Sequence, residues 1–258
     1  MRVLMIFTAL ALGTTTLAAQ QTERFDWNGA VARGRTLEIL GVNGDITVTR
    51  GSGNAVVRAD KRGRRSDPSG VRVEVVEHGD GVTICAVYPT DEPGRPNECL
   101  PGGKGRNNSK NNDVRVDFTV EVPAGVHVAL RTVNGDVSAR EVDGNMVAST
   151  VNGEIDVSGS GHAEASTVNG SIRVGMGRAD WSGEASFSTV NGSITLQIGD
   201  AAHFDLEATT VNGSIQSDFP VTMTGRIGPR RVTGTVGNGG RDLKLSTVNG
   251  GITLRKKP

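Results

Sequence analysis

Apolar and polar residues alternate at every second position along much of this chain, the period of a strand with one face turned inward. Val114, Val116, Phe118, Val120 and Val122 keep the alternation without a break. Val71, Val73 and Val75, then Val82 and Ile84, keep it on either side of His78-Gly79-Asp80-Gly81, which reads as a turn between paired strands. Val128, Leu130 and Thr132 lead into Val133-Asn134-Gly135; Leu206, Ala208 and Thr210 lead into Val211-Asn212-Gly213; Leu243, Leu245 and Thr247 lead into Val248-Asn249-Gly250. Beyond the glycine a second alternating pair follows, such as Ile194 and Leu196 or Ile252 and Leu254. The two sets are out of phase, because Thr189 and Ile194 differ by five positions and an unbroken strand would put them on opposite faces. The pattern therefore predicts a strand, a change of direction at Val-Asn-Gly, and a second strand. No long helical period occurs after the first segment, so the fold expected is all-β.

The corner recurs. Copies begin at Val42, Val133, Val151, Val168, Val190, Val211 and Val248, and Arg231 to Val236 (RVTGTV) reads as one more with Val232 at its origin. Subtraction from Val133 onward gives spacings of 18, 17, 22, 21, 21 and 16 residues. A repeat of about twenty residues marks a solenoid or a meander of hairpins. The turn residues are Asn43-Gly44, Asn134-Gly135, Asn152-Gly153, Asn169-Gly170, Asn191-Gly192, Asn212-Gly213 and Asn249-Gly250. Asn and Gly suit such positions because both tolerate positive φ. A single Asn-Gly reads as a two-residue hairpin. Hairpins, however, do not require Thr-Val before the turn and a β-branched residue after it each time. A parallel β-helix does reward that identity, since coils stack at about 4.8 Å and like residues form ladders. The architecture expected is a β-solenoid of about 20-residue coils, with an antiparallel β repeat sandwich as the alternative. Asn191, with copies on both sides, should matter more than Asn43, which is far from its sequence neighbours.

Three segments follow from composition along the chain. Residues 1–19 read as a secretory signal peptide, with Arg2 before an apolar run and small residues up to Ala19, the expected cleavage site. Its apolar run of about ten residues is half of the roughly twenty that span a bilayer. No second apolar segment follows, so an exported protein of the periplasm or cell surface, without stable membrane insertion, is expected. Residues 20–122 read as an N-terminal β region of irregular coils and a cap, and 123–258 as the repeat solenoid. Within the first region Cys85 and Cys99 are the only cysteines, and an isolated pair in an oxidising compartment bridges. They flank a Pro-, Gly- and Asn-rich loop (86–113) with almost no apolar periodicity, expected to project from the body. Closing it is worth roughly 3 kcal/mol.

Gly at 36 residues and aromatics at 3% leave Val, Ile, Leu, Ala and Thr to build the core. One Tyr, two Trp and six Phe cannot form the aromatic girdles of a membrane barrel. Lys+Arg and Asp+Glu are 28 each, so no global field draws nucleic acid. The one basic run, Arg58, Lys61, Arg62, Arg64 and Arg65, lacks interleaved aromatics and reads as a solvated loop. Polysaccharide-cleaving chemistry needs carboxylates converging in a groove. Asp136, Glu154 and Ser171 share the slot after successive Asn-Gly turns, so the slot drifts from acid to hydroxyl as a solvated rim does. His78, His127, His162 and His203 are scattered, and no HExxH or GxSxG occurs. Asn169, Asn191 and Asn212 fit the glycosylation pattern, which the turn already explains. GNGGRD at Asn238 occurs once, without the tandem spacing of calcium repeats. No catalytic, cofactor or metal residues are expected.

The leader, VEVPAG at Val120–Gly125, LRTVNGDVSA and the recurring TVNGSI coils together resemble the bacterial adhesin-like family of β-strand-repeat proteins, a domain of unknown function. The resemblance covers about residues 36–258. It implies a right-handed parallel β-helix or β-roll in an exported protein with adhesin-like binding and no catalytic motif. The insertion from Tyr88 to Asp113 departs from that pattern. The function expected is a non-enzymatic scaffold binding an envelope protein or polysaccharide. A carbohydrate-active enzyme on a β-helix, or an envelope-stress accessory protein that binds another protein, are the alternatives.

Overall fold

The structure, a computed structural model, describes residues 21–257 apart from 91, 93, 178–180, 182, 224–227 and 229. The leader and its expected cleavage at Ala19 lie outside the described residues. The chain enters on β1 (Gln21–Gly29) and lays a first coil as β2 (Thr36–Leu40) and β3 (Ile46–Arg50). β4 (Ala55–Gly63), the hairpin β5 (Arg72–His78) and β6 (Gly81–Val87), and β7 (Arg115–Val122) precede the next coil. Five coils then follow in sequence: β8 (His127–Arg131) with β9 (Val137–Val142), β10 (Met146–Ser149) with β11 (Ile155–Gly159), β12 (Ala163–Ser166) with β13 (Ile172–Met176), β14 (Glu184–Asn191) with β15 (Ile194–Gly199), and β16 (Phe204–Asn212) with β17 (Ile215–Ser217). β18 (Val221–Met223) and β19 (Arg231–Val236) come next, and β20 (Asp242–Asn249) with β21 (Ile252–Lys257) makes a seventh coil.

Each coil gives one strand to each of two facing sheets, and the Val-Asn-Gly corner is where the chain passes between them. One sheet runs β1-β4-β7-β3-β9-β11-β13-β15-β21-β17, the other β18-β19-β16-β20-β14-β12-β10-β8-β2-β6-β5. Coil-to-coil pairing is parallel throughout. The fold is a β-solenoid, and the antiparallel alternative survives only at its ends. There β1-β4-β7, β5-β6 and β16-β19-β18 pair antiparallel. Such caps cover coil edges that would otherwise template further strands. The phase break is resolved at the corner: Thr189 and Ile194 are both buried, one in each sheet. A coil such as Leu243, Leu245, Ile252 and Leu254 sets four aliphatic side chains in the core, each worth about 1.5–3 kcal/mol relative to exposure.

One pair of neighbouring coils is far apart in sequence, and one coil is out of sequence order. The coil of Asn43 stacks directly on that of Asn134, 91 residues on, because β4 to β7 form the cap instead of intervening coils. The seventh coil does not close the stack; β20 lies between β14 and β16, and β21 between β15 and β17. RVTGTV is not a corner at all: Arg231–Val236 is the straight strand β19, antiparallel to β16. It lacks the Asn-Gly that brings coils together, and periodicity alone cannot tell a coil strand from a cap strand.

The disulfide loop does not project. Cys85 and Cys99 are bonded, their Cα atoms 5.6 Å apart, and the loop lies on the outer face of β2 and β6. There the outward-facing Glu38, Thr83, Cys85 and Val87 are buried. Asn97 donates to the carbonyls of Tyr88 and Asn108, both at 2.9 Å, and accepts from Asn108 N–H at 2.8 Å. Gly102 N–H reaches Glu38 Oε2 at 2.8 Å. Polar side chains thus supply the loop with the order that its missing periodicity conceals. The basic run is likewise not a solvated loop: Arg58, Lys61 and Arg62 lie on β4, and Lys61 is buried, donating to the Val71 carbonyl at 2.9 Å and pairing with Glu23 at 3.0 Å.

Candidate functional site

The seven Asn-Gly corners fall in one line, in the spatial order Asn43, Asn134, Asn152, Asn169, Asn191, Asn249, Asn212. Each Asn after Asn43 donates its Nδ2 to the Oδ1 of the one before it at 2.8 Å, six bonds along one direction. Beneath them the Thr preceding each of these corners except the first is buried. Its Oγ1 donates to the corner Gly carbonyl of the preceding coil in the stack at 2.8–3.1 Å. The glycines are required by close approach more than by conformation. A Cβ on Gly153 would lie 1.9 Å from the Gly135 carbonyl oxygen, and Gly170 and Gly192 repeat the clash at 1.9 and 2.0 Å. Only Gly44 and Gly250 of the seven have positive φ, and none of the seven Asn does. The tolerance of positive φ that suits Asn and Gly to a turn is thus used only at Gly44 and Gly250, and at Gly153, Gly170 and Gly192 the close approach of the neighbouring backbone accounts for the residue.

Parity carries the Thr inward and the following Val outward. Val133, Val151, Val168, Val190, Val248 and Val211 are 38–50% exposed, and Leu100 is the only other exposed large apolar residue among those described. Val42 continues the row half-buried, beside the disulfide loop. The six valines stand at the strand spacing of about 4.8 Å and form a ridge. On one flank lies the Asn row. On the other, in register on the second sheet, lie the hydroxyls of Ser149, Ser166, Ser188, Ser246 and Thr209. At Val133 the matching position is Arg131, so the hydroxyl row runs beside five of the six valines and ends at a guanidinium. An apolar line flanked by polar donors and acceptors repeating at a fixed interval can grip a long, regular partner. It offers no reacting group.

The acids considered for catalysis serve the stack. Asp117 Oδ1 accepts from Asp45 N–H at 3.0 Å, Asp45 from Asp136 N–H at 2.8 Å, and Asp136 from Glu154 N–H at 2.7 Å. Ser171 and Ser193 take the same part farther along, at 3.3 and 3.2 Å. The drift from acid to hydroxyl follows, since the slot needs only an acceptor. Glu154 also pairs with Arg173 at 2.8 Å. His127 and His203 accept backbone N–H groups through Nδ1, from Asn145 at 2.8 Å and Asn238 at 3.0 Å, and His162 faces Glu164 at 3.1 Å. His78, Thr83 and Glu38 form a chain, with contacts of 3.1 and 2.9 Å, that superficially resembles an activated hydroxyl. Thr83 is fully buried under the disulfide loop, so no substrate reaches it.

Arg62, Arg64, Arg65, Arg115 and Asp113 line an open cleft of about 740 Å³. Most of its charge is met internally. Arg62 and Arg115 bind Asp117, and Arg65 lies 3.8 Å from Asp113. Burial pushes the Asp117 carboxyl up, but the Asp45 N–H and the two guanidiniums outweigh it and hold the group below the usual carboxylate range. Among the described residues no group of three or more His, Cys, Asp or Glu could hold a metal ion, and no helix is long and apolar enough to cross a membrane.

No curated protein matches the chain. Among solved structures, a candidate cell adhesion protein of Clostridium sporogenes aligns at 10% identity and TM-score 0.47, over 92% of this chain and 100% of that one. A candidate adhesin of Bacteroides fragilis aligns at 10% identity and TM-score 0.36, over 93% and 99%. A candidate lipid-binding protein of Parabacteroides distasonis aligns at 8% identity and TM-score 0.26, over 94% and 98%. The family model described as Toastrack DUF4097 matches residues 35–255, from the first coil through the last, and the chain belongs to that family.

Proposed function

We propose that this protein is an exported, non-enzymatic scaffold that holds an extended envelope partner, a polysaccharide or a protein strand, along the valine ridge. The observation that carries this reading is the six-valine line itself, solvent-facing and bordered by a row of amides on one side and, beside five of the six, by hydroxyls on the other. Exposed apolar side chains in a continuous row are costly to keep unless they are used. Six valines at about two-fifths exposure make a strip of a few hundred Å², in the range of functional patches but below the roughly 800 Å² per partner of a standard protein interface. A narrow, elongated partner making many weak contacts fits that shape better than a globular one. The Cys85–Cys99 bond and the leader read from the sequence both favour an oxidising, extracytoplasmic location.

The test is capture from an envelope fraction and from a panel of purified envelope polysaccharides. The native chain is compared with Val168→Asp/Val190→Asp, which changes only exposed side chains. Loss of capture with unchanged stability supports the ridge; equal capture removes it. Release of new reducing ends, abolished by changing Asp136, Glu154 or Asp156, would replace the scaffold with the enzyme reading.

A further inference from the structure

The coil Asp242–Lys257 sits inside the stack between two coils that precede it in sequence. Leu243, Leu245, Ile252 and Leu254 are buried there, and both of its strands are paired on both sides. Thr247 donates to the Gly192 carbonyl at 2.8 Å while the Gly250 carbonyl accepts from Thr210 at 2.9 Å. Asn249 donates to Asn191 and accepts from Asn212, both at 2.8 Å. The coil is reached through one crossover, Gly237–Arg241, in which Gly237, Gly239 and Gly240 have positive φ. This loop is held by Asn238 N–H to His203 Nδ1 at 3.0 Å and Gly240 N–H to Asp205 Oδ2 at 2.8 Å.

The walls of the slot are complementary to each other as well as to the insert. Thr189 and Thr210 both align with Thr247, and Asn191 and Asn212 both align with Asn249. With the insert withdrawn, β14 and β16 can therefore pair directly through the same Thr and Asn rungs. An opened molecule then need not expose four bare strand edges, which lowers the cost of release. Every contact the coil makes with these walls is available, unchanged, in another molecule.

From this we infer that Asp242–Lys257 is an exchangeable insert, and that the slot accepts the same coil from a second copy of the chain to give a strand-exchanged dimer. The glycine crossover is the hinge, and the exchange trades identical contacts between copies. This inference is independent of the ridge's ligand.

Full-length chains test it without truncation. Ser188 and Ser246 are exposed register partners across β14 and β20. One tagged copy carries Ser188→Cys and a differently tagged copy carries Ser246→Cys; the two are co-refolded at high concentration and oxidised. The expected result is a disulfide-linked heterodimer, absent when Ser166→Cys replaces Ser188→Cys, because Ser166 aligns with Ser188 and not with Ser246. Heterodimer no more abundant than in that control overturns the exchange. A single chain carrying both Ser188→Cys and Ser246→Cys should close within itself when oxidised in dilute solution. Failure to do so would overturn the slot as well.

Discussion

Replacing Asn191 with Ala removes two rungs of the amide ladder at once, its donation to Asn169 and its acceptance from Asn249, each 2.8 Å long. A neutral hydrogen bond contributes about 0.5–1.5 kcal/mol net. All three amides are exposed, so water refills the freed groups and places each rung near the low end, giving about 1 kcal/mol in total. Asn43 and Asn212 end the row with one rung each, so Ala at either should cost about half as much. Urea unfolding measures the difference: with a slope of about 2 kcal/mol/M, the midpoint should fall by roughly 0.5 M for Asn191→Ala and half that for the end positions. Equal midpoints for Asn191→Ala and Asn43→Ala, or no change in either, would show that the rungs add nothing beyond water. Position in the stack, not distance along the sequence, sets the expected ranking.

Gly153→Ala should destabilise by about 3 kcal/mol or more, because its Cβ meets the Gly135 carbonyl at 1.9 Å and neither backbone can yield without opening the ladder; the thermal midpoint of the purified variant checks this. Cys85→Ser/Cys99→Ser should cost about 3 kcal/mol and raise hydrogen exchange across 86–113 while leaving the coils beyond Gly135 protected. Asp113, Asp117 and Asp205 have carboxyls held below their ordinary range. The stability they contribute is present above the unfolded value of about 4 and is lost as pH falls through the lower folded values, so urea midpoints should be flat from neutrality to about pH 5 and drop below pH 4. Asp205→Asn should lessen that drop; an unaltered acid limb would remove Asp205 from the explanation.

The corner motif was legible because it repeats. Alternation on both sides of Val-Asn-Gly, and the five-residue offset from Thr189 to Ile194, imply two strands joined at a bend. The exposure of the valines was present in the same parity: Val128, Leu130 and Thr132 share a face, so Val133 must point away from it. Identity of neighbours is what escapes a single sequence. Every coil carries nearly the same rung residues, so Thr247 and Asn249 complement several positions equally well. Local pattern cannot state that they settle between Asn191 and Asn212. The disulfide loop was hidden for the opposite reason. Its order comes from Asn97, Asn107 and Gly102 bonding across the loop and to Glu38, contacts with no period at all. The acid-to-serine slot, read from the sequence as a solvated rim, is a row of acceptors, because acceptance of one backbone N–H needs an oxygen, not a charge.

The inserted, unbroken ladder is tested most directly by nuclear Overhauser contacts among the side-chain amides of selectively labelled asparagines. Asn249 should contact both Asn191 and Asn212, with no contact between Asn191 and Asn212 themselves. Direct contact between Asn191 and Asn212, with Asn249 touching at most one of them, would contradict it.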